Sequence, residues 1–203
     1  DIAALSDGRL VVTWHNHYNN GNDATVQLLS KNGDTLQTIT PNDPGFHAGD
    51  PQIAALEDGG FVVVWARNEN NSLGYVGTVV FQRFDKDGNR VGENTTVLDF
   101  ESGVYNREPH VIGTADGGFV IGWRRSEVQG TSGAASLQRH DSDSNPIGTP
   151  VLLDDQATTN NSYNSLNQLA VFPDGSLIGL SMQSDDYFGS SLDVVIRRFS
   201  AGT

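Results

Sequence analysis

The sequence predicts an all-β chain: a β-propeller-like array of four-stranded antiparallel blades, in four repeat units of about 50–58 residues. Three observations predict it. An apolar run, an Asp-Gly turn and a second apolar run recur four times along the chain. A second element recurs inside each unit. No stretch shows the 3.6-residue period of an amphipathic helix, and the 23 glycines would weaken one.

The first element reads Ile2-Ala3-Ala4-Leu5-Ser6-Asp7-Gly8, leading to Leu10-Val11-Val12-Thr13-Trp14. It returns as Ile53 to Gly60 leading to Phe61-Val62-Val63-Val64-Trp65, and as Val111 to Gly118 leading to Phe119-Val120-Ile121-Gly122-Trp123. The fourth copy runs from Leu169 through Asp174-Gly175 to Leu177-Ile178-Gly179-Leu180, with Ser181 where a fourth Trp would stand. The spacings from Trp14 to Trp65 to Trp123 are 51 and 58 residues. The second element is Val26-Gln27-Leu28-Leu29, then Phe81-Gln82-Arg83-Phe84, Leu137-Gln138-Arg139-His140 and Ile196-Arg197-Arg198-Phe199. The units are approximately 1–45, 46–103, 104–160 and 161–203.

Within the second unit the first strand is expected from Pro51 to Leu56. Asp58-Gly59-Gly60 turns it back, because Asp-Gly and Gly-Gly supply the positive φ of a tight hairpin. Phe61 to Trp65 is a continuous β-branched and aromatic run, expected to be buried on both faces. A third strand is expected from Thr78 to Phe84, a turn at Asp85-Lys86-Asp87-Gly88, and a fourth strand from Arg90 to Leu98. One such meander cannot bury both of its faces, but meanders stacked around an axis bury one another. Tandem β-sandwich modules are the rival architecture, and each of those needs roughly 100 residues, twice this unit. Asp1 falls inside a first strand and Thr203 just after a third, so the segment is expected to belong to a longer parent chain.

Charge and composition exclude several classes. A formal net charge of −13 repels phosphates and argues against nucleic acid. No run of about 18 apolar residues exists, so membrane insertion by a helix is not expected. Zero Cys removes disulfides, thiolate metal sites and thiol nucleophiles. Neither a G-x-S-x-G motif nor a phosphate loop appears.

The unit Pro51-Gln52-Ile53-Ala54-Ala55-Leu56-Glu57-Asp58-Gly59-Gly60-Phe61-Val62-Val63-Val64-Trp65, followed by Phe81-Gln82-Arg83-Phe84-Asp85-Lys86-Asp87-Gly88, resembles a repeat of large bacterial RTX-type, type I-secreted surface proteins and adhesins. The resemblance implies an extracellular or cell-surface, calcium-rich setting and a binding or scaffold role. The Gly-Gly-x-Gly-x-Asp calcium nonapeptides of such proteins do not occur in this segment.

Alternating strand direction segregates the connections. Short Asp-Gly turns fall on one face and long, polar-aromatic connections on the other. A rigid scaffold carrying such loops on one face is a usual layout for a binding surface. The candidate ligand-binding residues there are His15, Asn16, Tyr18, Arg67, Asn68, Glu69, Tyr105, Arg124, Arg125, Tyr163, Asp185 and Tyr187. Asn, Asp and Arg bond sugar hydroxyls, and Tyr stacks on a pyranose face. The candidate calcium ligands are Asp85, Asp87 and Asn89, repeated as Asp141, Asp143 and Asn145, because oxygens at alternate loop positions suit a hard cation. Hairpin turns explain the same residues, since Asp and Asn favour turns. Glu69, Glu101, Glu108, Glu127, Asp185 and Asp186 are the acids that glycoside chemistry would draw on.

The expected function is a non-enzymatic extracellular binding or adhesion module, contacting a glycan or a cell-surface protein through the long-loop face. The alternatives are a carbohydrate-active enzyme using carboxylates of that face, and a structural spacer. Calcium is the one cofactor in view.

Overall fold

Apolar runs become strands here because each is bounded by residues that turn the chain back on itself. The computed structural model describes residues 1–18, 21–71, 74–98, 104–127, 133–152, 163–184 and 192–200, which form fifteen strands and no helix. The first meander is β1 (Ile2–Ala4), β2 (Leu10–Tyr18), β3 (Gly21–Leu29) and β4 (Thr35–Ile39). The second is β5 (His47–Ala55), β6 (Phe61–Asn71), β7 (Gly74–Phe84) and β8 (Arg90–Thr96). The third is β9 (Val104–Gly113), β10 (Phe119–Glu127), β11 (Gly133–His140) and β12 (Pro146–Leu152). The fourth is β13 (Tyr163–Val171), β14 (Leu177–Ser184) and β15 (Leu192–Phe199). Successive strands within each meander pair antiparallel, and one parallel pair, Gly77 with Tyr105, joins the second meander to the third.

The expected strand limits need correction at one end. β6 continues past Trp65 to Asn71 and β7 begins at Gly74, so most of the expected long connection is paired strand. β5 and β9 likewise start earlier, at His47 and Val104. The polar residues there were expected in a loop, yet backbone pairing does not depend on side-chain polarity once the hairpin register is set.

The Asp-Gly turns form as expected. The Oδ1 of Asp7, Asp58, Asp116 and Asp174 accepts the amide two residues on, at 3.0, 2.9, 3.4 and 2.9 Å. The glycine that follows each Asp has φ near +80 to +86°, where a Cβ would be strained. The turn Asp also holds a guanidinium that reaches the next meander. Arg83 Nη2 lies 2.6 Å from Asp58 Oδ2, and its Nη1 donates to the Ser142 carbonyl. In the first meander Leu28 stands where Arg83 does, and Arg9 from the turn itself takes over: Nε pairs with Asp7 at 2.7 Å and Nη2 donates to the Lys86 carbonyl at 2.6 Å. Lys86 and Ser142 are both the second residue of their turns, so two different arginines make one inter-meander link.

Three apolar clusters lie between consecutive meanders. Val11, Ala24 and Val26 meet Ile53, Phe61, Val63 and Trp65. Val62, Val64, Val79 and Phe81 meet Phe119, Ile121 and Trp123. Val120, Ala135 and Leu137 meet Leu166, Leu169 and Leu177. The continuous apolar second strands are therefore buried on both faces, as their lack of alternation predicts.

The recurring Gln of the second element also has a structural task. The β7–β8 ladder slips between Phe81 and Arg83, and the fully buried Gln82 Nε2 donates to the carbonyls of Arg83, Val91 and Gly92 at 2.8, 3.2 and 3.2 Å. Gln138 repeats this with Arg139 and Ile147 at 2.8 and 3.0 Å. Gln82→Leu removes the donor from buried carbonyls and is expected to cost roughly 1–3 kcal/mol in urea unfolding. An unchanged midpoint would show that water replaces the amide.

His140 stands where the second unit has Phe84. Its ring stacks on Phe119 with centroids 4.9 Å apart and meets Phe81 edge-on at 5.0 Å, while Nδ1 has no hydrogen-bond partner. Burial pushes its pKa down to about 4, against the pull of Asp141 and a backbone hydrogen bond. The fold thus favours the neutral ring, whereas the unfolded chain takes up a proton below about pH 6.5. Stability from this group is complete above pH 6.5 and falls toward pH 4, by of the order of 3 kcal/mol. In unfolding titrations at pH 7 and 4.5, His140→Phe is expected to remove most of that acid loss. An identical loss in both proteins would assign it to other groups.

Candidate functional site

The first strands carry the contacts between neighbouring meanders on the inner side. Asp1 Oδ2 accepts the amide of Ile53 at 3.0 Å. A Cβ added to Gly113 on β9 would lie 2.4 Å from the carbonyl oxygen of Ala55 on β5, so these two strands touch through their backbones. His110, at the same register as Asp1 in its unit, hydrogen-bonds the backbone of Leu166; burial lowers its pKa, opposed by that bond and by the Glu108 charge.

At the long-hairpin end both first strands carry the same irregularity. The β5–β6 register shifts between Gly49 and Gln52, and the β9–β10 register between Gly122 and Arg124. Each bulge holds an acid immediately before a proline: Asp50 with φ 49° and Glu108 with φ 52°. Positive φ is uncommon outside glycine, and a side chain held there at a bulge is re-aimed away from the ladder. Asp50 lies five residues before Ala55 and Glu108 five before Gly113. The backbone contact at Ala55 and Gly113 therefore sets the two acids at the same level of adjacent, co-directional strands.

Glu108 is half-buried and faces two cations: Arg124 Nη1 is 3.5 Å and Arg107 Nε 4.0 Å from its Oε1. Arg124 is buried, packed over the backbone at Gly133, so its charge is set in place by the strand pair rather than by solvent. Asp50 is exposed.

The structure brings several expected residues to this end, on strands rather than loops. His15, Asn16 and Tyr18 lie on β2, Arg67, Asn68 and Glu69 on β6, Tyr105 on β9, Arg124 and Arg125 on β10, and Tyr163 on β13. His15 is exposed. Asn16 accepts from Trp14 Nε1 at 3.0 Å and donates to Thr25 Oγ1 at 2.8 Å. The Arg67 guanidinium lies 4.8 Å over Phe46, and Arg107 lies 5.7 Å over Tyr105. Arg125 lines a cleft of about 450 Å³ with Asn106, Trp123, Ser136, Leu98 and Leu152. Asp185 and Tyr187, like Glu101 and Asp186, lie outside the described residues.

The two candidate calcium turns are closed by their own hydrogen bonds. Asp85 Oδ1 accepts the amides of Asp87 and Asn89 at 2.9 and 2.8 Å, and Oδ2 accepts Asn89 Nδ2 at 2.9 Å. Asp141 does the same with Asp143 and Asn145. These bonds, led by the Asn side chains, hold both Asp carboxyls below their usual pKa. Asp87 pairs with Lys86 at 2.7 Å. Turn formation thus accounts for every residue of the pattern. Among the described residues no three His, Cys, Asp or Glu side chains converge on a common point.

Asp50 was not among the expected site residues. The signal for it is the acid-proline pair, Asp50-Pro51 and Glu108-Pro109, at the head of two first strands. Proline disfavours the helical region for its predecessor, which leaves few conformations to the acid.

No family model matches the chain, and no curated protein matches it. Solved structures do. An α-L-arabinanase of Penicillium chrysogenum, complexed with arabinobiose, is 13% identical with a TM-score of 0.67 over 99% of this chain and 63% of its own. A protein of unknown function from Dyadobacter fermentans is 15% identical with a TM-score of 0.62, over 99% of this chain and 65% of its own. A sucrose-6-phosphate hydrolase of Lactobacillus gasseri is 12% identical with a TM-score of 0.55, over 92% of this chain and 44% of its own. The chain thus spans less than two thirds of the length of each of these proteins. What it shares with them, at such identities, is an all-β, β-propeller-like fold.

Proposed function

We propose that this chain is a carbohydrate-active domain that cleaves a polysaccharide or oligosaccharide with Asp50 and Glu108 as its carboxylate pair. The observation that carries the reading is their placement: two acids, each at positive φ in a bulge, level with each other on adjacent first strands. Backbone strain of this kind clusters at functional sites. Glycoside cleavage needs two such groups, one to protonate the departing oxygen and one to attack the anomeric carbon or activate water against it. The carbohydrate-acting structural neighbours support the same reading in preference to adhesion without turnover. Arg124 positions Glu108, and exposed His15 and the Arg67–Phe46 pair flank the strand ends that a sugar chain would follow.

The test is reducing-sugar release from a panel of polysaccharides, arabinan included, by the 203-residue chain. Release that disappears in the Asp50 and Glu108 variants supports the reading. Glycan retention without release would return the chain to the non-enzymatic binding role. An extracellular, bacterial-surface location goes with either reading as a proposal from the repeat resemblance, and fractionation of the source cells checks it.

A further inference from the structure

The repeat makes every inter-meander joint out of the same register positions, which allows the two end faces of the array to be compared with the joints inside it. On the face toward the following meander, Ala24 and Val26 on β3 are fully buried, Val79 and Phe81 on β7 are 1% exposed each, and Ala135 and Leu137 on β11 are 0% and 5% exposed. The equivalent residues of the fourth meander, Val194 and Ile196 on β15, are 62% and 63% exposed. Phe172, equivalent to the buried Leu5 and Leu56, is 37% exposed on the same face.

The opposite face shows the mirror situation. Ile53 and Trp65 of the second meander are 4% and 1% exposed, because they pack on the first. Their equivalents in the first meander, Ile2 and Trp14, are 59% and 37% exposed. The chain therefore carries both halves of its own joint, unpaired, at opposite ends. Each half is apolar where three internal copies of the joint are apolar and dry.

We infer that the face of Val194 and Ile196 on one chain receives the face of Ile2 and Trp14 on a second copy, reproducing the internal joint in head-to-tail association. Such a contact is heterologous: it leaves one free face of each kind, so copies add in series until a ring closes. The complementarity is in shape and apolarity and does not depend on the acidic surface. The net charge of −13 opposes association at low ionic strength and is screened beyond about 8 Å at physiological salt.

Sedimentation velocity at 0.15 M salt, over a concentration series to about 0.5 mM, tests this. The expected result is a species above 21.8 kDa whose share grows with concentration. Ile2→Lys and Ile196→Lys each make the chain less acidic, so loss of association cannot come from added repulsion, and each is expected to give a monomer. Mixed in equal amounts, the two variants keep one intact face apiece and are expected to form a dimer and nothing larger. Both sites are exposed, and unchanged circular dichroism verifies folding. A monomeric wild-type chain across the series would overturn the inference, as it would if another polypeptide supplied the covering blade. Loss of association from only one of the two variants would also overturn it, in favour of a contact between like faces.

Discussion

Asp50→Asn and Glu108→Gln are each expected to lower polysaccharide turnover by about 10²–10⁴-fold, the usual contribution of a positioned acid or base. Both substitutions keep size and hydrogen-bonding capacity while removing the charge and the titrating proton. Asn is also tolerated at positive φ, so the bulge at Asp50 should survive. The loss should therefore appear in kcat with the melting temperature unchanged. The double variant is expected to fall little further than the worse single one, because residues acting as a unit are not additive. Asp58→Asn, at the short-turn end of the same meander, is the control and should retain turnover. Equal losses in all three variants would remove the special role of the bulge acids.

Trp123→Ala is expected to destabilise the chain by roughly 3–5 kcal/mol, the range for truncating a buried aromatic. Trp123 is fully buried between the second and third meanders, against Phe81 and Val79. Its Nε1 donates to Asn106 Oδ1 at 3.0 Å, and Asn106 Nδ2 donates to the Gly77 carbonyl of the neighbouring meander at 3.4 Å. Truncation opens a cavity and strips an acceptor of its donor at one stroke. For a chain of this size the melting temperature should drop by about 6–20 °C. Trp123→Phe keeps most of the volume and isolates the hydrogen bond, at roughly 1–3 kcal/mol. Trp14→Ala, at the same repeat position but 37% exposed, should cost less than about 1 kcal/mol. Similar losses at Trp14 and Trp123 would contradict the burial argument.

The strands, turns and four-fold repetition were legible in the sequence because they rest on local chemistry. Asp58-Gly59 closes a hairpin through its own amides, and Phe61 to Trp65 is apolar without alternation because both faces are covered. The Asp85 and Asp141 turns were equally local, and their hydrogen bonds now account for residues that also suit a cation. The length of the second strands was not legible: β6 runs on to Asn71 through backbone pairing, to which Asn and Glu side chains give no clue.

The candidate site depended on tertiary structure altogether. Glu108 appeared in the sequence as one of many acids, and Asp50 did not stand out among the 25. They are 58 residues apart in the chain. Only the backbone contact of Gly113 with Ala55 lines up their bulges. The exposed faces at Ile2 and Ile196 are of the same kind. Their apolar pattern reads identically in every unit, and whether such a face is core or surface is decided by whether another meander lies against it. Sequence alone determined which elements form, because a hairpin is settled among near neighbours. The fold decided which acids meet and which faces are left open, because those depend on how separate meanders stack.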